Sequence, residues 1–143
     1  MKAIDTNVLI RFLVRDDDMQ AKTVYSIFKR AEAEKEEFWV PLVVILEILW
    51  VLESVYKISR QEILDSINDL LLMPILKFEA NSAIQNFIFS ARQSKIDLSD
   101  LLIAHSAKFS DCECVLTFDK KASKYKLFQL IETALNYDSP DGL

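Results

Sequence analysis

Four carboxylates stand among apolar neighbours in this 143-residue sequence: Asp5, Glu47, Asp100 and Asp119. Asp5 ends the short run Lys2-Ala3-Ile4 and precedes Val8-Leu9-Ile10. Glu47 interrupts the stretch from Leu42 to Leu52, which is otherwise apolar. Asp100 opens Leu101-Leu102-Ile103-Ala104, and Asp119 follows Val115-Leu116-Thr117-Phe118. An ionised carboxylate buried alone costs several kcal/mol and usually takes up a proton instead. Several of them converging without basic partners also repel one another. A divalent cation removes both difficulties, and hard cations such as Mg²⁺ and Mn²⁺ prefer carboxylate oxygens and water. Each acid has a purely structural explanation too: Asp5 as a helix N-cap, Glu47 as a surface helix position, Asp100 as a first-turn helix acid, Asp119 as a turn residue. The shared pattern is what points to a metal centre.

The elements that must position these acids follow from periodicity. Lys2–Ile4 reads as a short buried strand with Asp5 at its C-terminal end. Thr6 or Asp5 can cap the next helix, Asn7–Val14, which leaves only Arg11 and Arg15 for solvent. Asp16, Asp17 and Asp18 form a turn and an N-cap, before a helix from about Met19 to Glu34 whose inner side carries Ala21, Val24, Tyr25, Ile27, Phe28 and Ala31. Phe38–Val40 is a second strand stopped by Pro41, and Leu42–Tyr56 a largely buried helix. Ser59 and Glu62 make a capping box for a helix that ends near Leu72. Ile75–Phe78 reads as a strand, Asn81–Ser94 and Ser99–Phe109 as helices, and Cys114–Thr117 as a strand. A short helix near Lys120 and a strand at Phe128–Leu130 complete one domain over residues 1–135, with a frayed tail over 136–143. Strands alternating with helices predict an α/β fold, its parallel sheet covered on both faces. Ligands of such sheets gather at the carboxyl ends of strands, where Asp5 and Asp119 stand.

Composition narrows the chemistry. The only glycine is Gly142, so no glycine-rich phosphate loop exists and P-loop and Rossmann nucleotide binding are excluded. The net charge of -5 argues against broad affinity for nucleic acid, which rests on a basic surface. An acidic metal centre is compatible with that charge, and so is a basic protein partner. The stretch Phe38–Leu52 contains Pro41 and Glu47 and falls short of the roughly 20 residues needed to span a bilayer. With no signal peptide at Met1, a soluble cytoplasmic protein without membrane association is expected. Cys112 and Cys114 sit too close in sequence for easy disulfide geometry and make a poor zinc site alone, which predicts reduced thiols. A phospho-receiver domain needs an adjacent acidic pair after its first strand, and Asp5 stands alone.

The same residues resemble a known family. Asp5-Thr6-Asn7-Val8-Leu9-Ile10 is similar to the opening of PIN domains, especially the VapC-type toxins of toxin–antitoxin pairs. Val40-Pro41 through Leu46-Glu47 to Trp50-Val51-Leu52 resembles their second motif. Asp97-Leu98-Ser99-Asp100-Leu101-Leu102-Ile103-Ala104 resembles the third, and Leu116-Thr117-Phe118-Asp119-Lys120-Lys121 the fourth. The match runs in order from residue 2 to about 130. It departs where glycines are usual: Ser94-Lys95 stands before the third motif and Lys124-Tyr125-Lys126 near the last strand.

The resemblance implies a three-layer α/β/α sandwich around a central parallel sheet, and Mg²⁺- or Mn²⁺-dependent cleavage of RNA. It assigns Asp5, Glu47, Asp100 and Asp119 as catalytic metal-binding acids. Asp97 matches a further acid with an outer-shell or second-metal role, alongside helix capping. Thr6 and Thr117 match small polar residues that support the site by hydrogen bonding. Lys120 and Lys121 are candidates for RNA phosphate contacts. His105 lies about 140° around its helix from Asp100 at 3.6 residues per turn, which turns it away from the acids. A toxin of this kind implies a small antitoxin partner, and the apolar helices Asn7–Val14 and Leu42–Tyr56 are candidate surfaces for it or for a homodimer. The alternative is a non-catalytic PIN-like module that binds RNA or protein.

Overall fold

In the computed structural model, which describes residues 1–132, short strands and longer helices alternate as the periodicity predicts. Strand β1 (Lys2–Ala3) leads through Asp5 into α1 (Thr6–Val14), and Asp17 caps α2 (Asp18–Glu34) by accepting the Gln20 N–H. Pro41 follows β2 (Phe38–Val40) and starts α3 (Leu42–Ser54); Ser59 caps α4 (Arg60–Leu71) through the Glu62 N–H. Then come β3 (Leu76–Phe78), α5 (Asn81–Arg92), α6 (Leu98–Phe109) and β4 (Val115–Thr117). A turn of 3₁₀ helix at Ala122–Lys124 stands where a short helix is expected, and β5 (Phe128–Leu130) is the last described strand. The expected tail over 136–143 lies outside the described residues, as does the end of the expected domain.

All the ladders among the described residues are parallel, as alternating strands and helices require. One runs in the order β1-β2-β3, with Phe38 opposite Lys2 on one side and Leu76 on the other. Hydrogen bonds from Ile4 N–H to the Trp39 carbonyl and from Glu79 N–H to the Val40 carbonyl carry it slightly further. The second pairs β4 with β5, Val115 opposite Phe128. The fold is the α/β/α arrangement expected, with its hydrogen-bonded sheet in two ladders.

The core is built where helices meet. Leu9 of α1, Ile45, Ile48 and Leu52 of α3, Ile63 and Ile67 of α4, Ile84 and Phe87 of α5 and Leu101 of α6 are all fully buried. Helix α5 packs along α6, and α3 touches α1, α4 and α6, so α3 ties the two halves together. Among the described residues no helix is long and apolar enough to cross a membrane. Both cysteines are free.

Several burial expectations need correction. Strand β1 stands at a ladder edge, with Lys2 and Ala3 exposed and only Ile4 buried. Tyr25 and Ile27 are open to solvent, because the buried stripe of α2 is the narrower set Ala21, Val24, Phe28 and Ala31. Helix α3 is not largely buried on every side: Val43, Glu47 and Trp50, one helical face at i, i+4 and i+7, are exposed. Arg11 is half-buried, not a solvating cation, and bonds Gln20, Asp16 and the Tyr56 hydroxyl.

Glycine scarcity leaves a mark on the turns. Arg15, Lys35, Lys57, Ala80 and Asp111 all adopt left-handed backbone, a region that favours glycine. At Lys35, φ is 56°, and the residue closes α2 with its N–H on the Ala31 and Glu32 carbonyls. Its side chain is exposed and has no contact to lose. Lys35→Gly should therefore raise the unfolding free energy in urea by about 0.5–1 kcal/mol, the left-handed penalty of roughly 1–2 kcal/mol less the added backbone entropy of glycine. A loss of stability would show that the left-handed turn carries no penalty here.

Candidate active site

Asp5, Asp97 and Asp119 stand at the start of a helix or turn and are fixed by backbone donors, Asp100 lies in the first turn of α6, and Glu47 lies within α3. Asp5 follows β1 and caps α1, its Oδ1 accepting the Thr6 N–H at 2.7 Å. Asp97 caps α6, its Oδ1 accepting the Asp100 N–H at 3.2 Å. Asp119 follows β4, and its Oδ1 accepts from Lys121 N–H at 2.8 Å and Ala122 N–H at 3.1 Å. The structural explanations for Asp5, Asp97 and Asp119 are thus realised. They occupy one oxygen of each carboxylate and leave the other without a hydrogen bond to any described residue.

Glu47 is linked to the first motif through a side chain. The buried Thr6 hydroxyl donates to Glu47 Oε2 at 2.9 Å, joining α1 to α3 across 41 residues of sequence. Thr117 accepts the Asp119 N–H at 3.0 Å and so shapes the turn that presents that acid. Both threonines thus hydrogen-bond a motif acid or the turn that carries one. Asp5, Glu47, Asp97 and Asp119 are nevertheless exposed, and only Asp100 is half-buried. The cost of burial, central to the sequence reading, therefore applies to Asp100 alone.

Asp100 is also where the acids meet electrostatically. Partial burial pushes its carboxyl above the ordinary range, and the charges of Asp97 and Asp119 push it the same way. Third and fourth motifs are thereby brought together, while the Thr6 bond unites the first with the second. Among the described residues, however, no three acids, histidines or cysteines stand close enough to make a ready metal-binding group. The described ion pairs are Arg11–Asp16, Lys77–Glu37 and Arg92–Asp65, so no cation among the described residues pairs directly with the acids of the motifs.

The donor set still fits a hard divalent cation. It offers carboxylate oxygens only, they repel, and each of the capping aspartates has an oxygen to spare. Mg²⁺ characteristically keeps several waters and is bound through one or two carboxylates, so it needs no tight group of three.

A cleft of about 330 Å³ opens beside Asp97, lined by Glu53, Arg60, Lys95 and Lys121 among others. Lys120 and Lys121 are exposed, and only Lys121 is among the residues lining the cleft. Arg60 escaped the sequence reading. The available signal was its place in the first turn of a helix, where the dipole disfavours a cation unless something else holds it. His105 is buried and bonded to the Tyr125 hydroxyl at 3.1 Å.

The chain matches the PIN domain family over residues 2–127, and it belongs to that family. A "VapC ribonuclease" of Aquifex aeolicus (strain VF5) is 29% identical over 126 residues, covering 87% of this chain and 91% of that protein. No solved structure matches.

The shifted Asp100 carboxyl has a consequence for pH. The folded state binds that proton more tightly than the unfolded chain, so stability falls as pH rises from the ordinary carboxylate value through the raised one. Asp100→Asn removes this penalty. The metal-free variant should melt above wild type at pH 7, and the difference should disappear once both forms are uncharged in strong acid. Differential scanning calorimetry across that range checks it; a variant that melts lower at pH 7 would show no net repulsion at Asp100.

Proposed function

We propose that this protein is a metal-dependent endoribonuclease acting as the toxin of a toxin–antitoxin pair. The observation that carries the reading is the electrostatic meeting of Asp97, Asp100 and Asp119 with no cation among the described residues paired to them. The printed name of the Aquifex relative supports the same chemistry. Asp5, Asp100 and Asp119 would hold Mg²⁺ or Mn²⁺ directly or through water, with Asp97 in the outer shell or at a second ion. When bound, the ion lowers the pKa of a water and offsets charge developing on the phosphodiester.

The protein's own groups do the rest. Thr6 fixes Glu47 through Oε2, which leaves Oε1 to ligate or to take the proton of the attacking water. The Asp119 turn holds its acid through two backbone N–H groups. Lys120 and Lys121 follow that turn and would meet RNA phosphates, Lys121 from the rim of the cleft that Lys95 and Arg60 share. The second reading, a binding-only PIN module, is favoured by the lack of a ready three-residue metal group among the described residues.

Incubating the protein with a structured RNA pool, with Mn²⁺ and with EDTA, decides between them. Wild type should cut only with metal, and Asp5→Asn or Asp100→Asn should lose more than about 100-fold, beyond what removal of an outer-shell group costs. Full activity in either variant refutes the assignment. No cleavage, together with no Mn²⁺ binding by calorimetry, would leave the binding module.

Partners follow from what the fold leaves open. Helix α1 turns Val8, Phe12, Leu13 and Val14 onto the core, so of the two expected surfaces α3 is the one available. Leu42, Val43, Leu46 and Trp50 of α3 face Ile103 and Ala107 of α6 across two apolar grooves. A homodimer would form on this face, leaving the acidic site for a small antitoxin with basic side chains. Val43→Asp, at a residue 58% exposed, should convert dimer to monomer in light scattering without changing the melting of the monomer. An unchanged mass, dimeric or monomeric, would rule out this face.

A further inference from the structure

The third motif follows the loop Gln93-Ser94-Lys95-Ile96, which holds no glycine. The loop needs none: no residue from Gln93 to Ile96 has positive φ. Its shape is imposed from α4. Arg60 donates through one guanidinium nitrogen to the Ile96 carbonyl at 2.7 Å, and through another to the Ala91 and Ser94 carbonyls at 3.1 and 2.9 Å. The last turn of α5, the middle of the loop and the residue before Asp97 are thus gathered on one side chain. The Ser94 hydroxyl completes the loop by accepting the Ile96 N–H at 3.0 Å.

We propose that Arg60 is the positioning residue of the active site, its planar fork fixing the α5–α6 loop so that Asp97 and Asp100 face Asp119. This inference rests on the nuclease reading above. Asp97 is the residue immediately after Ile96, and its carboxylate caps α6 through Asp100 N–H. A rotation of the loop therefore moves both acids together, whereas Asp119 belongs to a separate turn and does not follow. Lys95, carried on the same loop, lines the cleft with Lys121, so the loop also sets the cation that a neighbouring RNA phosphate would meet.

The fork matters as much as the charge. Guanidinium presents several N–H donors in one plane, while a lysine ammonium at the same place is a compact point donor. Burial pulls the Arg60 guanidinium below its usual range, and Asp97 and Glu53 oppose that. The side chain stays cationic and directed at the carbonyls.

Arg60→Met and Arg60→Lys test this beside Asp65→Asn, which removes a different tie between α4 and α5, the Arg92–Asp65 pair. Three readouts are compared on the full chain: Mn²⁺ affinity by calorimetry, exchange of the Gln93–Ile96 amides, and kcat against KM for RNA cleavage. Both Arg60 variants should bind Mn²⁺ at least tenfold more weakly, exchange the loop amides faster and lose kcat with KM changed less than threefold. Asp65→Asn should leave all three at wild-type values. If Arg60→Met does not fold, Arg60→Lys, which keeps the stem and charge, carries the comparison. Wild-type Mn²⁺ affinity in a folded Arg60 variant overturns the positioning role and leaves the nuclease reading standing. A wild-type protein that binds no Mn²⁺ overturns both.

Discussion

Among the described residues, neutral backbone donors rather than cations hold three of the motif acids in place. Asp5, Asp97 and Asp119 each give one oxygen to N–H groups at the start of a helix or turn. A capped carboxylate keeps its charge, since an N–H group satisfies a lone pair without neutralising it. Lysines or arginines in the same role would have stabilised the metal-free fold better and cancelled the negative potential. The arrangement instead leaves repulsion unrelieved, and Asp100, the most enclosed of the acids, registers it. A fold that tolerates this gains an attraction for any cation able to sit among the acids.

Glu47 belongs to the site by a different route. It has no cap to make, because it lies inside α3 on that helix's exposed face. The Thr6 hydroxyl fixes it, and Thr6 is buried directly beside Asp5. One hydroxyl therefore sets the distance between the start of α1 and the middle of α3. The same face of α3 continues into the apolar grooves with α6, where Glu47 borders Trp50 and Ile103. Anything docking in those grooves lies next to the Glu47 carboxylate.

Much of the fold was legible because periodicity is a direct record of burial. The strand at Phe38–Val40, the helix cap at Ser59 and the alternation that demands parallel pairing all appear in the structure as read. Tyr25 and Ile27 were misplaced because a helix needs only a stripe of burial, and apolar residues beside that stripe look the same in sequence. The exposed face of α3 was hidden for a related reason: a helix apolar all round reads as core whether or not a neighbour covers it. The acids were found through their apolar neighbours, although all but Asp100 proved exposed. Arg60 left almost no trace, since its partners are main-chain carbonyls, and carbonyls have no sequence.

Those carbonyls also explain how a charged clamp can sit beside an acidic centre. Had Arg60 held the loop through Asp97 by an ion pair, the acid would have been spent on the clamp, and an incoming cation would have competed with it. Carbonyl acceptors are neutral, so the three hydrogen bonds persist whatever charge the site carries. Asp97 contributes to Arg60 only through space, by opposing the effect of burial on the guanidinium. The shape of the loop is thereby separated from the charge state of the acids it presents. In a chain with a single glycine, in its tail, a side-chain fork from a neighbouring helix achieves what a flexible backbone achieves elsewhere. It does so without the entropy that glycine loses on folding.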